Sequence, residues 1–383
     1  MKILHFADLH LGKDLHGFPL LEEQAHILKE IIEIARQEQV AAVLLAGDVY
    51  DRSNPPQEAI RLLGKFFTAL REAKITLFLI AGNHDSVTRL GFGAEFFSLA
   101  DLHLATEAQP EIKVHEFAAG GEKADIYLLP YTRRVDLKKF YPHLAEQDCY
   151  TDLMRAQLEP LRERVVVRRA EGIPAIIIAH QWLLNHAGES RVSESEETLL
   201  GMVEQLPASL FSFFDYVALG HLHRPQQIAE NTYYSGSPLA YSASEAGQQK
   251  QVNILEIKSG EIKVHTQTLK PLHPVRKLQG SFEEVLNHPD ESLKDAYLYI
   301  DLNDITVVQD ARKKLEQRYP LLCDIRFTAY QGLSSSSFAQ EIKQLRENPE
   351  VIFREFFREF TEHEASKQQE ELIHHFLQDD EED

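Results

Sequence analysis

Short, almost wholly apolar runs recur along this chain, and each breaks into a polar signature at its downstream end. Lys2 to Phe6, Ala42 to Ala46, Ile75 to Ile80, Ala175 to Ala179 and Tyr216 to Leu219 are rich in branched side chains and predict buried strands. Between the first three lie stretches with a helical apolar period. One is Leu21 to Gln37, with Ile27, Leu28, Ile31, Ile32 and Ala35; the other is Gln57 to Ala73, with Ile60, Leu63, Phe67 and Leu70. Alternation of this kind predicts an α/β sheet, and in such sheets sites form beyond the carboxyl ends of the strands.

Downstream the pattern changes twice. Thr232 to Gly236, Gln251 to Ile257 and Glu261 to Thr268 read as antiparallel strands that complete a first domain of residues 1–270, with the Gly236-Ser237-Pro238 turn at the site rim. From Pro271 the order is an extended Val275 to Leu278, a helical Phe282 to Leu286, a strand Tyr297 to Leu302, a helix Val307 to Arg318 and a strand Asp324 to Ala329. This reads as a small α+β unit over 271–332. Ser334 to Ser337 reads as a linker opening the segment 333–383. There Phe353, Phe356, Phe357 and Phe360, then Leu372, Ile373, Phe376 and Leu377, form two short amphipathic helices. Such stripes commonly dock on their own core, but in a charged segment after a linker they point to a partner's groove. Asp379 to Asp383 reads as a disordered acidic end.

The polar signatures are Asp8-Leu9-His10, Gly47-Asp48, Gly82-Asn83-His84-Asp85, His180 and Gly220-His221-Leu222-His223. Their carboxylates, imidazoles and amide suit two metal ions, so the chain reads as a dinuclear hydrolase. An extended Asp8-x-His10 would aim both side chains to one side, and His221-x-His223 likewise. Gly47 and Gly82 permit a sharp turn and a close backbone approach. A lone Asp-x-His is more often a hydrogen-bonded pair than a metal site, and Gly-Asp marks many ordinary turns. The conjunction of all five after strands is what carries the reading. Oxygen and imidazole donors without thiolate suit manganese, iron or zinc alike. Two ions could activate a water molecule and neutralise phosphate oxygens. His84, next to a ligand, can serve as a general acid, or else as a spare ligand or a structural residue.

The order of these motifs resembles the calcineurin-like metallophosphoesterases. Met1 to Lys13 (MKILHFADLHLGK), Ala46 to Pro56 (AGDVYDRSNPP), Ala81 to Asp85 (AGNHD) and Leu219 to Pro225 (LGHLHRP) look more closely like the SbcD family of bacterial nuclease subunits. The resemblance covers nearly the whole chain. It implies a two-sheet sandwich flanked by helices, a small α+β capping domain that directs DNA, and carboxy-terminal helices. It implies one ion held by Asp8, His10, Asp48 and His223, and a second held by Asn83, His180 and His221, with Asp48 bridging. Both ions would be manganese. His84 would contact the scissile phosphate rather than a metal. Archaeal and eukaryotic relatives carry a second histidine where this chain has Asp51. The implied partners are DNA, the SbcC ATPase at the carboxy-terminal helices, and a second copy of the chain.

Composition bounds the rest. At 383 residues the chain accommodates a large core and smaller units. Cys149 and Cys323 have no metal-ligand spacing and fit a reducing compartment. Neither a signal peptide nor a membrane-spanning stretch is legible, so a cytoplasmic protein is expected. The formal net charge of −20 argues against a polyanionic substrate, although −9 of it lies in residues 341–383. Arg133-Arg134, Lys138-Lys139 and Arg168-Arg169 are basic pairs that read first as solvated helix faces. His5, His26 and most other histidines read as surface or satisfied groups, whereas His16, beside Lys13, lies in a loop that either faces substrate or is merely solvated. The expected activity is that of a metal-dependent DNA nuclease subunit. Its rivals are a phosphatase or phosphodiesterase for small esters, and a non-catalytic scaffold. With no Gly-rich phosphate loop present, ATP use would belong to the partner.

Overall fold

The computed structural model describes residues 1–144, 146, 149–194, 204–304, 308 and 310–328. Six strands form the first sheet: β1 (Lys2–Phe6), β2 (Ala42–Ala46), β3 (Thr76–Ile80), β4 (Leu102–Ala105), β11 (Gln251–Lys258) and β12 (Glu261–Thr268), in the order β12-β11-β1-β2-β3-β4. β1 to β4 run parallel, while β11 is antiparallel to both β1 and β12. The second sheet holds β5 (Lys113–Ala119), β6 (Glu122–Leu129), β7 (Ala175–His180), β8 (Tyr216–Gly220), β9 (Gln226–Ala229) and β10 (Thr232–Tyr234), in the order β9-β10-β8-β7-β6-β5. Contrary to expectation, Thr232–Tyr234 runs parallel to β8 and is antiparallel only to β9.

The apolar strands are explained by burial on both faces. On one face Ile3, Ala42, Leu44, Ala46, Phe78 and Ile80 meet Ile126, Leu128, Ile176, Ile178 and Ala218, which makes the seam between the sheets. On the other face of the first sheet, Leu4, Phe6, Val43, Leu45, Leu77 and Leu79 pack against α1 (Leu21–Gln37) and α2 (Gln57–Glu72). Tyr127, Leu129, Ile177, Ala179, Val217 and Leu219 do the same in the second sheet with α3 (Tyr150–Leu158) and α4 (Leu161–Ala170). The result is a helix–sheet–sheet–helix sandwich. In α2 the buried stripe is Ala59, Leu63, Phe66, Phe67 and Leu70. Ile60, counted on the apolar face from sequence, is 45% exposed, because the stripe is rotated by one residue.

Further on, β13 (Val275–Gly280), β14 (Tyr297–Leu302) and β15 (Leu322–Phe327) form a three-stranded sheet in that order. The helix Phe282–Leu286 starts in a capping box between Ser281 and Glu284, and a second helix spans Ala311–Arg318. Two compact units emerge, neither contiguous in sequence. Among the described residues, the first contains those of Met1–Lys277, Asp290–Tyr299 and Glu316–Asp324; the second contains those of Leu278–Pro289, Ile300–Leu315 and 325–328. The expected linker Ser334 to Ser337 and the stripe from Phe353 to Leu377 lie outside the described residues.

His5, in the middle of β1, is fully buried. Its Nε2 donates to the Leu219 carbonyl at 3.1 Å, and its Nδ1 lies 3.0 Å from the Tyr216 hydroxyl. Burial lowers its pKa from 6.5 to about 3. Above pH 6.5 neither the folded nor the unfolded chain protonates this ring. As pH falls from 6.5 toward 3 only the unfolded chain does, so stability is lost. Between pH 7 and pH 5 this residue should cost roughly 2 kcal/mol of unfolding free energy. Denaturant unfolding at both pH values should therefore show a loss about that much smaller in His5→Gln than in the wild type; equal losses would contradict the argument.

Candidate metal centre

Parallel neighbours end at the same rim of a sheet, and here two such rims meet. β1 delivers Asp8 and His10, β2 delivers Asp48, and β3 delivers Asn83 and His84; across the seam β7 delivers His180 and β8 delivers His221 and His223. The residues do not arrive as continuing strands. Asp8 (φ 56°), His10 (φ 44°), Asp48 (φ 49°) and His221 (φ 100°) all adopt the left-handed region that non-glycine residues avoid. The expected extended Asp8-x-His10 and His221-x-His223 are therefore corrected: turned backbone, rather than strand alternation, aims these side chains. Such backbone persists only where its surroundings over-determine it. Gln24 supplies part of that restraint. Its Nε2 donates to the His10 carbonyl at 2.7 Å and its Oε1 accepts from Gly12 N at 3.0 Å. Tyr241 Oη donates to the Leu9 carbonyl at 2.5 Å.

Two glycines are required by contact. A Cβ on Gly82 would overlap the carboxylate and backbone nitrogen of Asp48, and one on Gly47 (φ 86°) would overlap the ring of His180. Asp85 ties the same loops together, accepting from Val49 N, Tyr50 N and Gly82 N at 3.1, 2.9 and 2.9 Å.

Asp48 is at the centre of the cluster. Its Oδ1 accepts from His84 N at 3.0 Å and lies 3.5 Å from His180 Nε2, while its Oδ2 lies 3.5 Å from His10 Nε2 and 4.0 Å from His84 Nε2. His180 Nε2 and His221 Nδ1 each lie 3.0 Å from Asn83 Oδ1. His10 Nε2 and His223 Nε2 face each other at 3.1 Å. His180 Nδ1 donates to the Ala46 carbonyl at 2.8 Å, so when the ring gives up its second proton, as it would to a cation, its Nε2 lone pair is aimed among oxygens that only accept. Asp8 Oδ2 and His221 Nε2 are buried with no hydrogen-bond partner among the described residues. Lone pairs converging on lone pairs, with buried orphan acceptors among them, fit divalent cations and do not fit a self-sufficient hydrogen-bond network.

The expected residues thus come together, with one difference in grouping. Donor atoms of Asp8, Asp48 and His180 lie within 4.8 Å of one another, and so do those of His10, Asp48 and His84. Asp48 belongs to both sets, and His84, not expected as a ligand, belongs to one. Its side chain is 32% exposed where Asp48 is 3% exposed, and its Nδ1 donates to the Asp51 carbonyl at 2.7 Å.

Burial dominates the electrostatics. It pushes Asp8 up to about 7 and His10 and His221 down to about 4 and 3. Burial opposes ionisation of Asp48 too, but the surrounding imidazoles of His180, His84 and His10 hold it well below the usual carboxylate range. Burial likewise disfavours a charged His180, and the carboxylates of Asp48 and Asp8 outweigh it, raising that ring to about 9.

Several site residues were missed from sequence: Gln24, Tyr241, Glu245 and Lys250 act from the second layer, at distances in sequence that no motif marks. Asp85 stood inside the Gly-Asn-His-Asp signature, which was the one available signal. The Gly236-Ser237-Pro238 turn does border the site, since Ser237 N donates to the His223 carbonyl at 3.1 Å. His16 packs edge-on against Tyr299, with ring centroids 5.3 Å apart.

Comparison with known proteins gives two family matches: calcineurin-like phosphoesterase over residues 1–225, and the type 5 capsule protein repressor C-terminal domain over 271–361. The chain is 33% identical over 377 residues to the SbcD component of the SbcCD nuclease of Staphylococcus saprophyticus, covering 97% of this chain and 96% of that protein. It is 31% identical to the protein of the same name from Staphylococcus epidermidis, covering 98% of each. A solved dimetal phosphatase from Danio rerio is similar at 14% identity and a TM-score of 0.41, over 70% of this chain and 99% of that one.

Asp48 touches both donor sets, whereas Asp51 Oδ1 touches only His10 Nδ1, at 3.5 Å, and Lys13 Nζ, at 2.8 Å. Asp48→Asn should therefore weaken Mn²⁺ uptake, measured by calorimetry, by at least tenfold more than Asp51→Asn; equal losses would contradict the central placement of Asp48.

Proposed function

The chain belongs to the calcineurin-like phosphoesterase family, and on that premise we propose that it is the metal-dependent nuclease subunit of a two-component DNA-processing machine. It is a phosphodiester hydrolase. The observation that carries the reading is the arrangement around Asp48: one carboxylate oxygen faces His180 and the other His10, with Asp8 Oδ2 and His221 Nε2 buried nearby as unused acceptors.

Asp8, His10, Asp48 and His223 would hold one divalent cation, and Asn83, His180 and His221 the second, with Asp48 shared; manganese is our choice of ion. When bound, the cations neutralise phosphate charge and acidify a water molecule. The protein supplies placement. The Asp51 carbonyl commits His84 Nδ1, so the ring presents Nε2 beside Asp48 on the exposed side of the cluster, where a scissile phosphate or leaving oxygen can meet it.

The substrate reading is DNA, cut at ends and at hairpin or single-stranded structures, in keeping with relatives that are named as nucleases. A chain of net charge −20 needs help to hold a polyanion. We place a DNA-directing cap in residues 271–332 and a surface for the SbcC ATPase in 333–383, in keeping with relatives that are one component of a larger nuclease and with a second family match over 271–361. Self-association has its own support. Phe92, Phe96 and Leu99, just downstream of His84, are 83%, 73% and 82% exposed, an apolar group that water disfavours and a second copy would cover. Among the described residues no helix is long and apolar enough to cross a membrane, and we place the protein in the cytoplasm.

A manganese-dependent assay on labelled linear and hairpin DNA, run beside a generic phosphodiester and with and without the ATPase partner, tests the whole reading. DNA should be the preferred substrate, and His84→Gln should lower the rate by about 10²–10⁴-fold while Mn²⁺ binding persists. Preference for the small ester would instead support a general phosphoesterase. Phe92→Asp combined with Phe96→Asp should shift the protein from dimer to monomer in sedimentation, and an unchanged mass would remove those side chains from the interface.

A further inference from the structure

Behind His223, away from the cluster, lies a fully buried ion pair that the reading above does not use. Glu245 Oε2 is 2.5 Å from Lys250 Nζ, and the two side chains are 0% and 4% exposed. Lys250 also donates to the His223 carbonyl at 3.0 Å and to Ser237 Oγ at 2.9 Å, and Ser242 Oγ donates to Glu245 Oε1 at 3.0 Å. That same Oε1 lies 3.5 Å from His223 Nδ1. A buried ion pair is weak evidence for stability, because desolvation offsets the attraction, so its presence behind a candidate ligand calls for another explanation.

Resting on the two-cation reading, we infer that Glu245 is a positioning residue for His223, its carboxylate taking the proton of Nδ1 in a hydrogen bond so that Nε2 is left as the donor atom. A carboxylate oxygen can only accept, so the ring nitrogen facing it must donate, and a neutral imidazole carries a single proton. The other ring nitrogen then holds the lone pair, and it is Nε2 that faces His10 Nε2 at 3.1 Å. Lys250 balances the carboxylate's charge and holds the His223 backbone, fixing ring and main chain together. The opposite ring is set differently: His10 Nδ1 is 3.5 Å from Asp51 Oδ1, which is 2.8 Å from Lys13 Nζ, but that nitrogen makes no hydrogen bond among the described residues. A lysine–carboxylate–imidazole series thus backs His223 but not His10, the other histidine assigned to that cation. His180 is backed instead by the Ala46 carbonyl. Carboxylate backing of this kind sets the tautomer and raises the basicity of a ligand.

Histidine ¹⁵N labelling of the full chain, with His223 identified by its absence from the His223→Gln spectrum, reads the tautomer in cation-free protein. The proton should sit on Nδ1; a proton on Nε2 overturns the inference. Glu245→Gln with Lys250→Met removes the pair without leaving one buried charge alone. Titrated with Mn²⁺, this variant should bind one cation about 10–100-fold more weakly than the wild type. Wild-type affinity in a variant with the wild-type circular dichroism spectrum overturns the inference, and if the variant does not fold, the wild-type tautomer decides. Wild-type protein that takes up no Mn²⁺ overturns the metal reading, and the inference with it. Uptake with the proton on Nε2 overturns the inference alone.

Discussion

A carboxylate removed from water must be matched by partners on every side, and Asp48 is such a group at the meeting point of two sheets. It is 2% exposed, yet it stays ionised because imidazoles from both sheets surround it. Those rings reach it only because β1, β2 and β3 end at one rim, β7 and β8 end at the other, and the seam of Ile3, Leu44, Ile80, Ile176 and Ile178 brings the rims together. The sandwich is, in this sense, the frame that allows one acidic group to be shared between two donor sets.

Holding donors in place consumes local backbone freedom. Asp8, His10, Asp48 and His221 all have positive φ, conformations that cost of order 1–3 kcal/mol each. The opposing restraints are identifiable: Gln24 and Tyr241 grip the loop after β1, Asp85 joins the loops after β2 and β3, and Lys250 grips the carbonyl of His223. Polar side chains in this second layer are buried because they bond to backbone groups that the turned segments would otherwise leave unpaired. Preorganisation of this kind lets a site meet its cations and substrate without reordering at the moment of reaction.

The acidic character of the chain and its proposed polyanionic substrate are compatible once charge is located. Of the basic pairs, Arg168 is engaged with Asp125, Glu116 and Glu171, Arg169 with Asp215, and Arg133 with Asp136. Their contacts are structural ones. Attraction for phosphate would come from bound cations inside the cluster and from partners, rather than from a basic face of this chain.

The strands and first helices were legible in the sequence because each apolar run is buried on both faces: Lys2–Phe6, Ala42–Ala46 and Leu21–Gln37 match their expected bounds. The donor types were legible for a related reason, since a polar group directly after a buried strand has few places to go but the rim. What the sequence could not decide was direction and partnership. Periodicity suggested that Asp8 and His10 align by strand alternation, but left-handed turns align them. Thr232–Tyr234 looked antiparallel, yet lies parallel to β8. Glu245 and Lys250, near no motif, meet His223 only because the chain returns through β10 and β11. Local pattern fixes which faces are apolar; the orientation of a side chain against another far along the chain is set by packing, and only the tertiary structure contains that information.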